Sequence, residues 1–157
     1  MEEPLGRKFG AIAKTYLGAL TKQLSHLDIE RCYFPLMLIC ESKKKPLSQQ
    51  QLADKLNIDK VSAQRTVDYL LEAGYILKFR SETDKRSYLL SPTKKALKEL
   101  SEIESTVKAL NTTLLKSIHP HKPDLFIEML ENIHQTLQET PSVKIRLGYK
   151  RISKKDE

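Results

Sequence analysis

Two short helices joined by a tight turn are the feature of this sequence that most constrains its fold. Ser48 and Gln51 have the spacing of a capping box, which predicts that a helix begins there. That helix is barely two turns long, because Asn57 can end it in the left-handed conformation. Asp59 can cap a second helix, which we predict ends at Gly74. This pattern is typical of a helix-turn-helix.

A strand pattern follows the second helix directly. Over residues 75–80 one set of alternating positions holds Tyr75, Leu77 and Phe79, and the other holds Ile76, Lys78 and Arg80. Residues 87–90 can return antiparallel to them. The polar segment 81–86 separates the two and forms the tip of a hairpin. A β-hairpin placed directly after a helix-turn-helix is the wing of a winged helix.

Amphipathic helices flank this central region. Apolar residues at steps of three and four predict a helix over residues 5–24, a long helix over 96–118 and a last helix that begins near Pro123. The small centre cannot cover all of these apolar stripes. We therefore predict that the terminal helices pack against a second copy of the chain in a homodimer. An intramolecular bundle is the alternative.

A buried helix is predicted between the first helix and the helix-turn-helix. Residues 33–40 are apolar on all sides, and Pro35 fits the first turn of a helix better than its middle. Asp28 is a plausible cap before it.

The predicted fold is mainly α with a small β-hairpin wing. Residues 5–40 and 100–140 form a helical dimerisation region, residues 41–99 form the winged helix-turn-helix, and residues 141–157 form a basic, frayed tail. A length of 157 residues suits one domain with a core of its own.

Charge and composition exclude several classes of protein. The net charge of +7 favours an anionic partner such as nucleic acid, although a merely soluble basic protein would have it too. The longest apolar run, residues 33–40, is far shorter than the ~20 residues of a membrane span, and no secretory signal is visible. No motif of a nucleophile elbow, phosphate loop or zinc hydrolase is present. We expect a cytoplasmic protein that is not an enzyme and has no cofactor.

The N-terminal half of the second helix predicts contacts with double-stranded DNA. Helical rotation turns Ala63, Val67 and Leu70 inward and leaves polar side chains facing outward. Arginine can bind guanine and glutamine can bind adenine in the major groove. The residues predicted to bind DNA are Gln49 and Gln50 of the first helix, Lys60, Ser62, Gln64 and Arg65 of the second, and Arg80, Asp84, Lys85 and Arg86 of the wing.

Asp84 and Arg86 are the residues of the wing tip that most specifically indicate DNA binding. Residues two apart on a hairpin leave the same face, so Asp84 could hold the Arg86 guanidinium extended. A narrow A·T-rich minor groove would attract that cation. An ordinary surface ion pair is the alternative.

Residues 47–97 resemble the MarR family of winged helix-turn-helix regulators, and the flanking helices extend the resemblance to about residues 5–140. The resemblance implies an obligate dimer that acts as a transcriptional regulator, in most cases a repressor, on a pseudo-palindromic operator. It also implies that Ser62, Gln64 and Arg65 read bases and that Asp84 orients Arg86. The matching segments are Leu47-Ser48, Gln51-Leu52-Ala53, Lys60-Val61-Ser62, Arg65-Thr66-Val67-Asp68-Tyr69-Leu70, Gly74-Tyr75-Ile76, Asp84-Lys85-Arg86 and Leu90-Ser91-Pro92-Thr93.

The same resemblance implies release from DNA by a small aromatic effector. Residues expected to line a pocket are Tyr16, His26, Tyr33, Phe34 and Met37, and ordinary core packing is the alternative for each.

Redox and metal sensing are two further alternatives. Cys32 and Cys40 lie about 12 Å apart along one helix, too far for a disulfide within the chain. His119, His121 and His134 could approach a metal with Glu128 or Glu131, but no paired-ligand helix motif occurs.

Two rival functions remain open at this point. The first is a winged helix used for protein–protein interaction, which would not need exposed arginines on the second helix and the wing. The second is RNA binding, against which stands an aromatic content of only 6% with no stacking platform.

Overall fold

The computed structural model describes residues 3–29, 31–82, 84, 87–118 and 122–141. The helices are α1 (Leu5–Gln23), α2 (Tyr33–Glu41), α3 (Gln49–Leu56), α4 (Lys60–Glu72), α5 (Lys94–Ile118) and α6 (Pro123–Glu139). The strands are β1 (Leu47–Ser48), β2 (Ile76–Arg80) and β3 (Tyr88–Pro92). The mainly α fold with a small wing is confirmed. None of the helices in the described ranges is long and apolar enough to cross a membrane.

The three strands form one antiparallel sheet in the order β1-β3-β2. The predicted hairpin is β2-β3, in which Phe79 pairs with Leu89 and Arg80 with Tyr88. The sequence did not predict β1, which pairs Leu47 with Leu90. Two residues are too few to show alternation, so only the tertiary pairing identifies this strand.

The chain divides into two compact units. One contains α1, the part of α5 from Glu102 onward, and α6. The other, which we call the winged-helix unit, contains α2, α3, α4, the sheet and the first two turns of α5. Helix α2 therefore groups with the winged helix, whereas the sequence pattern predicts that residues 33–40 belong with the terminal helices. The dimerisation role of the terminal helices stays a prediction.

Helix α2 lies in the core of the winged-helix unit. Leu36 and Ile39 are fully buried, and Pro35 is the third residue of the helix, so its predicted place in the first turn is confirmed. The predicted cap was wrong, since the N-cap position is Cys32 and no side chain caps this helix. Asp28 instead accepts a hydrogen bond from the Tyr69 hydroxyl at 3.4 Å.

The terminal helices expose large apolar side chains along their length. Fractional exposure is 65% at Ile12 of α1 and 57% at Leu137 of α6. The other exposed apolar residues of these helices are Leu5, Phe9, Leu97, Leu114, Ile118, Leu125, Ile127, Met129, Leu130 and Ile133. Apolar surface in such quantity is unusual on a monomer.

Candidate nucleic-acid interface

The turn between α3 and α4 fixes the start of the second helix. Asn57 adopts the left-handed conformation with φ 51°, as the sequence predicts. Asp59 caps α4, because its Oδ1 accepts hydrogen bonds from the backbone N–H groups of Val61 (2.9 Å) and Ser62 (3.0 Å). Its Oδ2 accepts a third bond from the Ser62 hydroxyl at 3.0 Å. The first turn of α4 is therefore held rigidly.

Replacing this cap should measurably destabilise the winged helix. We expect Asp59→Ala to lower the free energy of unfolding by about 1–2 kcal/mol, because the N-terminal N–H groups of α4 lose their acceptor. Asp54→Ala on α3 is the matched control. It removes only an exposed side-chain pair with Gln50 and should cost less than about 0.5 kcal/mol. Urea denaturation measures both, and equal losses would contradict the role given to the cap.

The exposed face of α4 presents one arginine, Arg65, whose side chain has no polar partner among the described residues. Lys60, Arg65 and Asp68 are exposed, and Gln64 is half-buried. Gln64 Nε2 donates to Asp68 Oδ1 at 2.5 Å, so its amide is engaged within the helix. Arg65 makes no hydrogen bond or ion pair with any residue in the described part of the chain. Its guanidinium is available to an external acceptor.

Ser62 corrects the predicted face of α4. The sequence placed it outward, but it is only 6% exposed and its hydroxyl is bound to Asp59. Val61 occupies the outward position instead, with 60% exposure. The spacing of four residues between Val61 and Arg65 is the signal that could have identified it.

The start of α3 carries the predicted capping box. Ser48 Oγ accepts from the Gln51 backbone N–H at 3.2 Å, and Ser48 N donates to Gln51 Oε1 at 2.8 Å. The two neighbouring glutamines, predicted to contact phosphates, are engaged within the protein. Gln49 Oε1 accepts from Lys78 Nζ at 3.3 Å, and the exposed Gln50 pairs with Asp54.

Tyr88 organises the cations at the base of the wing. Arg80 Nε donates to the Tyr88 hydroxyl at 3.4 Å. Lys78 Nζ lies 5.1 Å and Arg80 Cζ 5.8 Å from the centre of the Tyr88 ring. The hydrogen bond from Arg80 lowers the pKa of Tyr88, and the same bond raises the pKa of Arg80. The sequence identified Arg80 but missed Lys78 and Tyr88, which the pairing of β2 with β3 brings to the same face.

The wing tip is described only in part. Asp84 is exposed, and its backbone N–H donates to Ser81 Oγ at 3.2 Å. Lys85 and Arg86 lie outside the described residues. The predicted contact between Asp84 and Arg86 therefore stays a prediction.

A second cluster holds the C-terminal end of α4. Lys95 Nζ donates to the Ala73 carbonyl at 2.8 Å and lies 4.0 Å from the centre of the Tyr75 ring. The Tyr75 hydroxyl donates to Glu99 Oε2 at 2.6 Å. Burial and this bond raise the pKa of Tyr75. Lys95, Tyr75 and Glu99 thus tie the end of the second helix to the first two turns of α5. Sequence periodicity carries no signal for such a cluster.

Comparison with known proteins supports this arrangement. Residues 36–88, which include both helices of the helix-turn-helix and most of the wing, match the model of the MarR family. An uncharacterised SlyA-like transcription regulator from Listeria monocytogenes is 25% identical, with a TM-score of 0.76 over 87% of this chain and 90% of that chain. The segment 36–88 of this chain is therefore similar to the MarR family, and the fold of the chain is that of the solved regulator.

Two structures determined with DNA show the same fold. One is a putative MarR family transcriptional regulator from Listeria monocytogenes in complex with a 26mer DNA, 25% identical, with a TM-score of 0.76 over 87% of this chain and 90% of that chain. The other is the MepR–DNA complex of S. aureus, 17% identical, with a TM-score of 0.81 over 87% of this chain and all of that chain. Solved structures that share this fold are described as transcriptional regulators, and two of the structures hold DNA.

Two of the predicted effector residues lie on α1 and just after it. The Tyr16 hydroxyl donates to Asn111 Oδ1 at 2.8 Å, and burial raises the pKa of Tyr16. His26 Nε2 lies 2.6 Å from Glu102 Oε1, and both side chains are about half exposed. Both groups are engaged by α5.

The other three predicted effector residues lie on α2 in the winged-helix unit. Tyr33 is buried, Met37 is half-buried and Phe34 is 50% exposed. An effector role for all five residues stays a prediction.

Few contacts in the described residues support a metal-sensing or redox-sensing function. Over the residues that the structure describes, no three His, Cys, Asp or Glu side chains are grouped to hold a metal. His119 and His121 lie outside those residues, and His134 Nε2 lies 2.9 Å from Gln138 Nε2. No disulfide joins Cys32 and Cys40.

Proposed function

We propose that this chain is a transcriptional regulator of the MarR family, and that it acts as a homodimer that binds a specific operator in double-stranded DNA and represses transcription from it. The proposal rests on Arg65, which is exposed on the outward face of α4 and has no polar partner in the part of the chain that the structure describes. A guanidinium there can bind the O6 and N7 atoms of guanine with two hydrogen bonds. In other helix-turn-helix proteins, residues of the N-terminal part of the second helix contact base edges.

The wing and the start of α4 supply phosphate-binding charge. Lys60 and Arg80 are exposed, and Lys78 lies beside Arg80 on the same face of the hairpin. Each chain carries a net charge of +7. Cations at the start of α4 and on the wing suit a duplex whose backbones border the groove that α4 enters. Lys85 and Arg86, from the sequence, would extend this charge to the wing tip.

The dimer is supported by the exposed apolar faces of the terminal helices. Ile12, Leu114, Met129, Ile133 and Leu137 are all at least 39% exposed. Burial of such residues at about 25 cal/mol per Å² favours association, and a second copy presents the same faces. A dimer would place two copies of α4 in successive major grooves, ~34 Å apart.

Salt should weaken DNA binding steeply. Lys60 and Arg80 from two copies give about four phosphate contacts, for which log K falls with a slope near −3.6 against log salt. Doubling the salt concentration should therefore lower the affinity about tenfold. Fluorescence anisotropy with a labelled duplex at several salt concentrations measures the slope, and a flat response would contradict the phosphate contacts.

The test of the function is binding to DNA from upstream of the chain's own gene. A gel shift at nanomolar protein, with competing unrelated duplex, should show a specific complex, and footprinting should show a protected pseudo-palindrome. Failure to bind any duplex, together with capture of one partner protein, would favour the protein–protein module. Preferential binding to single-stranded RNA would favour the alternative function of RNA binding.

Release by a small aromatic effector is the finer part of the proposal. An effector that binds better to one separation of the two α4 helices than to another would lower DNA affinity by that difference. The coupling is reciprocal, so operator DNA should weaken effector binding by the same factor. Titrating the DNA complex with aromatic carboxylates, and the free protein in parallel, tests both statements.

A further inference from the structure

The outward face of α4 has an apolar group among its polar residues. Val61 is 60% exposed and is the second residue of the helix. Gln64, Arg65 and Asp68 follow at spacings of three, four and seven residues, so all four side chains lie along one stripe. Val61 stands at the N-terminal end of that stripe, one turn before the unpaired Arg65.

The Val61 side chain is presented rigidly. Its backbone N–H donates to Asp59 Oδ1 at 2.9 Å, which fixes the first turn of the helix. A β-branched side chain in a helix has one strongly preferred rotamer. Its two methyl groups therefore lose little conformational freedom when another surface covers them.

We propose that Val61 reads a thymine, through contact between its methyl groups and the 5-methyl group of that base in the major groove. This inference rests on the proposed DNA binding by α4. The thymine methyl is the apolar group that a base pair presents in the major groove, whereas the other base edges present donors and acceptors. Val61 would thus select a thymine beside the base that Arg65 contacts, and burial of methyl against methyl would exclude water from both.

Single replacements of thymine by deoxyuridine test the contact, because this change removes only the methyl group. Each thymine of the protected operator is replaced in turn, and affinity is measured by anisotropy. For the wild-type chain we expect one position in each half-site to lose affinity about three- to tenfold, and the other positions near α4 to change less. Val61→Ala should bind the unmodified operator about three- to tenfold more weakly and should be insensitive to deoxyuridine at that position.

Leu77→Ala is the matched control variant. Leu77 is 59% exposed on β2, so the variant also removes an exposed apolar side chain from the same unit. It should retain the full sensitivity to deoxyuridine. Circular dichroism melting of both variants verifies that the fold is kept.

Three results would count against the inference. Wild-type protein that binds the operator with no deoxyuridine-sensitive position overturns it and leaves the proposed function intact. Equal sensitivity in Val61→Ala and wild type also overturns it, because another side chain would then contact the methyl. Absence of any specific DNA binding by the wild-type chain overturns the proposed function and the inference together.

Discussion

In the proposed homodimer, Ile133→Asp should separate the two copies and reduce operator affinity at least a thousandfold. Ile133 is 39% exposed on α6, in one apolar stripe with Met129, Leu130 and Leu137. In a twofold interface the change enters once from each copy. A monomer has only one α4 helix to contact the operator, so both the affinity and the specificity of DNA binding fall.

The expected size of this effect follows from the free energy of association that Ile133→Asp removes. Each isoleucine that is buried contributes about 1.5–3 kcal/mol, and an unpaired carboxylate in an apolar interface adds a desolvation cost of several kcal/mol. The sum over two copies exceeds about 4 kcal/mol, which corresponds to at least a thousandfold in the dimer dissociation constant.

Gln135→Asp is the matched control for this variant. It introduces the same carboxylate on α6, two residues away on the opposite side of the helix, where Gln135 pairs only with Glu139 among the described residues. Light scattering after size exclusion, at several protein concentrations, should show a monomer for Ile133→Asp and a dimer for the control. A dimeric Ile133→Asp variant would show that this stripe does not form the interface.

Arg65→Ala should lower operator affinity about a thousandfold with little change in stability. A bidentate contact between arginine and guanine is worth about 1–3 kcal/mol, and a homodimer makes it twice, which gives about 4 kcal/mol. Arg65 is exposed and has no partner within the described chain, so its removal breaks no contact that supports the fold. Affinity for unrelated DNA should fall far less, because phosphate contacts from Lys60 and Arg80 remain.

The control for Arg65→Ala is Arg7→Ala. Arg7 lies on α1 with a side chain 80% exposed, and its ion pair with Glu3 is a surface contact of little energy. The control also removes one positive charge per chain, so any general effect of charge on DNA binding appears in it. Anisotropy with operator and with scrambled duplex measures both variants. Equal, small losses in the two variants would exclude base reading by Arg65.

The predictions from sequence succeeded where structure depends on near neighbours. The capping box at Ser48, the left-handed Asn57 and the Asp59 cap are all set by hydrogen bonds within a few residues, so their spacing in the chain is sufficient to identify them. The same applies to Gly74, whose φ of 72° ends α4 as expected.

The outward-facing residues of α4 were harder to predict, because the exposure of each side chain depends on the hydrogen bonds at the start of the helix. Ser62 and Val61 are adjacent, and a rotation of about 100° separates their directions. The bond from the Ser62 hydroxyl to Asp59 holds the serine inward, and Val61 faces outward as a result. A hydropathy pattern assigns the opposite places to these two residues.

By itself the sequence determined that this protein is a winged helix, because helix caps, turns and apolar periodicity depend on residues that are close to one another in the sequence. Only the tertiary structure decided the third strand, the cluster of Lys95, Tyr75 and Glu99 at the end of α4, and the stacking of Lys78 and Arg80 on Tyr88. Those contacts join residues that are up to 43 positions apart, as in the pairing of Leu47 with Leu90, and local propensity says nothing about them. The physical reason is that such contacts form only once the core has brought distant segments together.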